Sequence, residues 1–150
     1  MLAGGCQCGA VRYTVAAERA TLYACHCREC QKQSGSAFGL SLGVAMQDFT
    51  PTGEVGCWER STDSGARTGC HFCPTCGARI FHRSSRSDAR VVVKAGTLDD
   101  TTHLTPAAHI WVSRKQPWVT LDPSVPTHPT QPHDAEGWRA LLATGVQPQP

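Results

Sequence analysis

Long apolar runs are missing from this chain. The longest mostly apolar stretch, Ala37 to Met46, is broken by Gly39, Ser41 and Gly43. It reaches roughly half of the ~20 residues a helix needs to cross a bilayer, so no membrane span is expected. Blocks of like charge are missing as well. The 14 Lys and Arg face 12 Asp and Glu, for a formal net charge of +2, and no five or six like charges run together. Such a balance excludes an electrostatic grip on nucleic acid or an anionic membrane as the main activity. Charged residues are only 17% of the chain and hydrophobic ones 40%, against about 25% charged in an average soluble domain, which excludes charge-driven disorder. The start, Met1-Leu2-Ala3-Gly4-Gly5, has no basic residue before Arg12 and leads into cysteines rather than an apolar core. No secretory leader is therefore expected, and a reducing, cytoplasmic setting follows.

What the chain does have is cysteine: nine in 150 residues. An odd count cannot pair completely, and a chain this long can build a core without disulfide staples. Clustered thiols in a reducing setting point to metal ligation or reactivity.

The periodicity is mainly that of strands. Val11, Tyr13 and Val15 alternate with Arg12 and Thr14, and Leu40, Leu42 and Val44 repeat the pattern, as a half-buried strand does. Arg79 to His82, Val91 to Val93 and His109 to Val112 are short β-branched or aromatic runs between turn formers, and also read as strands. Helical signals are scarce. Arg28 to Gln33 predicts a turn or two stopped by Ser34-Gly35, and Ala135 to Ala143 predicts a helix with Asp134 as cap, Trp138, Leu141 and Leu142 inward, and Gly145 at its end. Between them, Pro123, Pro126, Pro129 and Pro132 favour an extended strap over sheet or helix, and Gln147 to Pro150 is expected to fray. The expected organisation is one mainly β domain over 1–121, with the strap and short helix of 122–150 packed on it or trailing it.

The cysteines fall in clusters: Cys6-Gln7-Cys8, Cys25-His26-Cys27-Arg28-Glu29-Cys30, and Cys70-His71-Phe72-Cys73-Pro74-Thr75-Cys76-Gly77. Thiols this close converge on one ion more readily than they form small-ring disulfides. Thiolate sets select zinc or an iron–sulfur cluster over hard cations, and paired knuckles suit tetrahedral zinc. Cys6 and Cys8 with Cys73 and Cys76 would close a four-ligand structural site. Cys25, Cys27 and Cys30 remain as a trio, the ligand number of an open site, unless Cys57 or Cys70 completes it as an inert four-sulfur centre.

These residues resemble the family of glutathione-dependent formaldehyde-activating enzymes, related to centromere protein V. The likeness runs from Gly5-Cys6-Gln7-Cys8-Gly9-Ala10-Val11-Arg12-Tyr13, through Cys25 to Ser36, Ser64-Gly65 and Phe72 to Gly77, to Gly96-Thr97-Leu98-Asp99-Asp100 and His109-Ile110-Trp111. It implies a small two-zinc, β-sandwich-like fold with zinc-ribbon knuckles, a structural zinc on Cys6, Cys8, Cys73 and Cys76, and a labile one on Cys25, Cys27 and Cys30. It also implies glutathione and formaldehyde as substrates of a carbon–sulfur lyase. Two departures stand out: Cys70 occupies a position where the family usually has a basic residue, and everything after about Leu121 lies outside the shared pattern.

Three thiolates make a zinc electron-rich, a weaker Lewis acid than one held by imidazoles, and suited to a fourth sulfur. The expected activity is zinc-dependent carbon–sulfur lyase or thiol–aldehyde adduct synthase chemistry, with no nucleic acid or membrane partner. His26, between two ligands, is a candidate proton carrier. Arg28, Lys32 and Arg79 are candidates for binding substrate carboxylates, and Ser34-Gly35-Ser36 either donates to an oxyanion or ends a helical turn. His71 and His109 read as core or edge histidines, Asp99-Asp100 as a turn, and Trp58, Trp111 and Trp118 as core or pocket wall. Loops Ala45 to Ser64 and His82 to Arg90 carry no motif. The competing readings are a non-enzymatic zinc scaffold that binds a protein partner and a redox sensor using Cys57 or Cys70.

Overall fold

A computed structural model describes residues 1–16, 20–62 and 65–143, with only the backbone of 142 and 143. The expected motif residue Ser64, the inward side of Leu142, the helix stop at Gly145 and the frayed 147–150 lie outside the described residues. The class is mainly β, as expected: eleven strands and two α-helices stand among the described residues. The chain divides into two compact units, one of Met1–Thr21 with Leu42–Thr102, the other of Leu22–Ser41 with His103–Pro150.

In the first unit, β1 (Leu2–Gly5), β2 (Arg12–Val15) and β5 (Phe49–Thr52) form an antiparallel sheet in the order β1-β2-β5. The expected alternation holds in β2, where Tyr13 and Val15 are buried and Arg12 and Thr14 exposed. Tyr13 packs on Phe49, and Phe49 edge-on against Phe81, with ring centroids 5.6 and 5.0 Å apart. β1 escapes a propensity reading because Leu-Ala-Gly-Gly is a poor strand sequence. It is held by its partner, and Gly4 is required there: a Cβ would overlap the Tyr13 hydroxyl and the Thr97 carbonyl. An antiparallel meander follows, of β6 (Gly56–Ser61), β7 (Arg67–Phe72), β8 (Arg79–Ser84) and β9 (Arg90–Lys94). Thus the segment Ala45 to Ser64 holds strands β5 and β6. The mostly exposed edge strand β6 alternates too weakly to announce itself.

In the second unit, β10 (His109–Ile110) lies parallel to both β3 (Thr21–Cys25) and β11 (Thr127–His128), pairing Ile110 with Cys25 and with His128. Helix α1 (Arg28–Ser34) follows β3, and α2 (Ala135–Ala143) ends the described chain. β4 (Gly39–Ala45) carries the chain from this unit back to the first. The strand expected over His109 to Val112 stops at Ile110, because Trp111 takes a left-handed conformation with φ 58°. The proline strap is extended only at Thr127–His128, where it joins a sheet edge, and turns or bends at 123–125 and 129–130. Pro126 and Pro129 accept from the backbone N–H groups of His109 and Ser113, a role that needs no donor from proline. Asp134 caps α2 as expected, its Oδ1 accepting from Gly137 N at 2.7 Å. Trp58 and Trp118 are corrected from core or wall to surface: they are 56% and 73% exposed, Trp58 on edge strand β6 and Trp118 with its indole N–H bonded to Gln116 Oε1.

Among the described residues no helix is long and apolar enough to cross a membrane.

Candidate functional site

Two groups of thiols come together. In the first unit the sulfurs of Cys6, Cys8, Cys73 and Cys76 all lie within 4.8 Å of one another. Each pair is carried on a tight turn that ends in a left-handed glycine, Gly9 (φ 80°) after Cys8 and Gly77 (φ 75°) after Cys76. The turns aim backbone donors inward: Val11 N–H donates to Cys6 Sγ at 3.1 Å, while Gly77 N bonds Cys73 O and closes the second knuckle. Burial pushes the Cys6 thiol up, but the Val11 N–H and the neighbouring sulfurs outweigh it and hold the thiol near 6. Cys8, despite the Ala10 N–H, is pushed up to about 11 by Cys6 and the other thiols. The four thus compete for negative charge at one point.

This donor set fits zinc. Four sulfurs at ~2.3 Å from an ion in a tetrahedron stand ~3.8 Å apart. The Cys6–Cys8 and Cys8–Cys73 sulfur separations are 3.5 and 3.8 Å, and all nine thiols are free of disulfides.

In the second unit the sulfurs of Cys25, Cys27 and Cys30 meet within the same limit. Cys25 ends β3; Cys27 is the N-cap of α1, its sulfur accepting from Cys30 N at 3.4 Å; Cys30 lies in the first turn. Helix α1 stops, as expected, at Gly35, whose φ of 60° permits the left-handed cap. Neighbouring Cys27 and Cys30, then burial, push the Cys25 thiol up. Cys25 and Cys30 in turn hold Cys27 down, so the half-exposed Cys27 carries the trio's charge. Among the described residues neither Cys57 nor Cys70 joins either group. Cys57 is exposed on β6, 3.8 Å from His71 Nε2. Cys70 is fully buried on β7, where its thiol reaches Thr68 O.

His26 is fully buried between its two cysteine neighbours. Its Nε2 stands 3.0 Å from His109 Nδ1 and its ring packs against Phe38. Burial, then His109 and Lys115, push its pKa down to about 4, so the imidazole is neutral. Gln31, which sequence reasoning did not single out, ties this knuckle down. Its amide N–H groups donate to His26 O at 2.7 Å and Arg114 O at 3.0 Å, and its Oε1 accepts from Gln116. Only burial of a polar residue inside α1 marks it, which a sequence does not display.

Of the other candidates, Arg28 and Lys32 are exposed and Arg79 half-buried. The Ser34 hydroxyl lies within hydrogen-bond distance of the carbonyls of Cys30 (2.8 Å), Phe38 (3.0 Å) and Gln31 (3.3 Å), the helix-ending role. Asp99 pairs with Arg12, and Asp100 accepts from Thr102 in a turn. His71 stacks on Phe81 at 4.2 Å and His109 is buried, as core or edge histidines.

The family model for glutathione-dependent formaldehyde-activating enzyme matches residues 1–114. The chain belongs to that family. Among solved structures, a Rhodobacter sphaeroides protein, a Northeast Structural Genomics target, is similar over 67% of this chain and 90% of its own. The TM-score is 0.53 and the identity 20%, a likeness of fold. No curated protein sequence matches the chain. For this member of the formaldehyde-activating family, both cysteine groups fall inside the matched residues, while the strap and α2 lie beyond them.

Proposed function

We propose that this protein catalyses the reversible addition of a thiol to an aldehyde, a carbon–sulfur lyase activity in the cleaving direction, with glutathione and formaldehyde as the pair named by its family. The observation that carries the reading is the count of three thiols in the second group, with no fourth among the described residues. In this reading Cys6, Cys8, Cys73 and Cys76 hold a structural zinc, and Cys25, Cys27 and Cys30 hold a second, catalytic one. Zinc bound by the trio would lower the pKa of a thiol that takes the remaining place, so that it reacts as thiolate at neutral pH.

The chain's own residues do the rest. Cys27, held down by Cys25 and Cys30, is the thiol of the trio that is ionised first and so the first ready to ligate. Gln31 and the cap at Cys27 fix the three sulfurs on a short rigid segment, which limits reorganisation during turnover. His26, buried and neutral against His109, positions the two flanking cysteines. In the overall reaction the thiol sulfur bonds the carbonyl carbon, the π pair moves to oxygen, and the thiol proton ends on that oxygen. No oxidation state changes, so no redox partner is needed.

Exchange NMR on glutathione, formaldehyde and their adduct tests this directly. Purified protein should raise the interconversion rate well above the uncatalysed background, and Cys27→Ser should return it to that background, a loss of ~100-fold or more. An unchanged rate with fully metal-loaded protein would sink glutathione and formaldehyde as the substrate pair.

A further inference from the structure

The cysteine trio sits in an aromatic setting to which chain beyond the family match contributes. Cys25, Cys30 and Ile110 form a buried apolar cluster, and Tyr23, Cys27, Trp111, Trp138 and Leu141 pack against it, half-buried. Tyr23 and Cys25 are two apart on β3 and share a face. Trp138 of α2 meets Tyr23 on that side, with ring centroids 5.1 Å apart. Trp111 is held in place by the strap: its backbone N–H donates to Thr130 O at 2.6 Å and its indole N–H to Gln131 Oε1 at 3.2 Å. A bulky residue at positive φ is costly. Here the strap's two bonds hold the residue in that conformation, with the side chain packed against the cluster of Cys25, Cys30 and Ile110. Arg114, whose guanidinium lies 5.9 Å from the Trp111 ring centre, is the cation of this wall.

We propose that the segment from Lys115 to Ala143 is a specificity element, and that Trp138 and Trp111, with Tyr23, select an adduct carrying an aryl or branched-alkyl group one or two bonds from the sulfur. The inference rests on the thiol–aldehyde reading above and narrows its substrate class. Neither formaldehyde nor the cysteinyl methylene of glutathione gives the rings around the trio a large apolar group to hold. An apolar group beside the sulfur would bury against rings that are already half-buried, which the hydrophobic effect rewards. That group belongs either to the thiol or to the aldehyde.

Full-length protein loaded with cobalt(II) reports thiol ligation through its sulfur-to-cobalt charge-transfer band. Cobalt titrations with benzyl mercaptan and with glutathione test the thiol, and exchange NMR of glutathione with benzaldehyde against glutathione with formaldehyde tests the aldehyde. The wild-type protein should prefer benzyl mercaptan over glutathione by ~10-fold or more, or accelerate the benzaldehyde exchange ~10-fold more than the formaldehyde one, each relative to its uncatalysed rate. The first result assigns the apolar group to the thiol, the second to the aldehyde. In Trp138→Ala the preference should fall below ~3-fold, and Trp138→Phe should restore most of it at equal cobalt content. Equal affinities for the two thiols together with equal acceleration for the two aldehydes, or a preference indifferent to Trp138→Ala, overturn the inference. Failure of every thiol to perturb the band of a cobalt-loaded trio would instead overturn the thiol–aldehyde reading itself.

Discussion

The two cysteine groups differ most in how much chain each one ties together. The quartet joins knuckles 65 residues apart, as measured from Cys8 to Cys73, and one of its sulfurs, Cys8, is exposed. The trio comes from a single stretch between Cys25 and Cys30, with two sulfurs buried and aromatic rings around them. An ion that clips distant segments removes far more freedom from the unfolded chain than one held within a single turn. The quartet is therefore placed to carry stability. The trio is already ordered by β3 and the cap of α1, so an ion bound there would add little to the fold and, in the proposed reading, would keep its bonding power for chemistry.

Replacing one ligand in each group is the sharpest test of that division. Cys73→Ser should cost ~4 kcal/mol or more, most of the stability of a domain at the low end of the ~5–15 kcal/mol range, because it opens the long clip and leaves the fully buried Cys73 position polar. Cys27→Ser should cost under ~1.5 kcal/mol while releasing one equivalent of metal. Thermal unfolding together with metal analysis of the purified variants measures both. Equal destabilisation by the two would erase the distinction between structural and open sites.

The sequence made this contrast visible because metal-binding chemistry is written locally. Cys-x-Cys, Cys-x-x-Cys-Gly and Cys-His-Cys-x-x-Cys can be read without any partner strand, and the structure brings those thiols together in the two expected groups. Strand β2 and both helices were readable for the same reason: their burial pattern and caps lie within a few residues. What was not readable depends on contacts between distant segments. β1 is a strand only because β2 pairs with it, Trp111 turns left-handed while its N–H bonds Thr130, and the expected inward side of Trp138 says nothing about Tyr23 as its neighbour. The surface positions of Trp58 and Trp118 went the other way, since residue size favours burial on average but an edge strand and a loop leave these rings outside.

Glycine substitutions probe the same contrast more gently. Gly4→Ala, in the unit of the quartet, drives a methyl into the Tyr13 hydroxyl and the Thr97 backbone carbonyl, neither of which can yield cheaply. A loss of about 2–3 kcal/mol is expected in denaturant titrations. Gly39→Ala, beside the trio, places its methyl 3.4 Å from Cys30 Cβ and 3.8 Å from its sulfur, ordinary contact distances. Its stability should stay within ~0.5 kcal/mol of wild type. A large loss at Gly39 would mean that the trio is packed as rigidly as the β1–β2 pair.

A pH-dependent effect is expected in alkali in the unit of the quartet. Burial pushes the Tyr13 phenol up to about 12, the hydroxyl contact with Thr97 opposing the shift, whereas an unfolded tyrosine titrates near ~10. Between those values the unfolded chain has lost a proton that the folded chain still holds, so stability falls as pH rises. The slope approaches at most ~1.4 kcal/mol per pH unit, and the contribution is complete below pH ~10. Tyr13→Phe should flatten that part of the alkaline stability curve, measured as the difference from wild type so that thiol ionisation cancels. At neutral pH the same variant should lose about 1 kcal/mol, because Thr97 Oγ1, 2.8 Å from the phenol oxygen, loses a partner. Parallel wild-type and Tyr13→Phe curves above pH 10 would show that Tyr13 reaches solvent in the folded state. The rigid β1–β2 contact, on which the contrast between Gly4 and Gly39 rests, would then have to be abandoned.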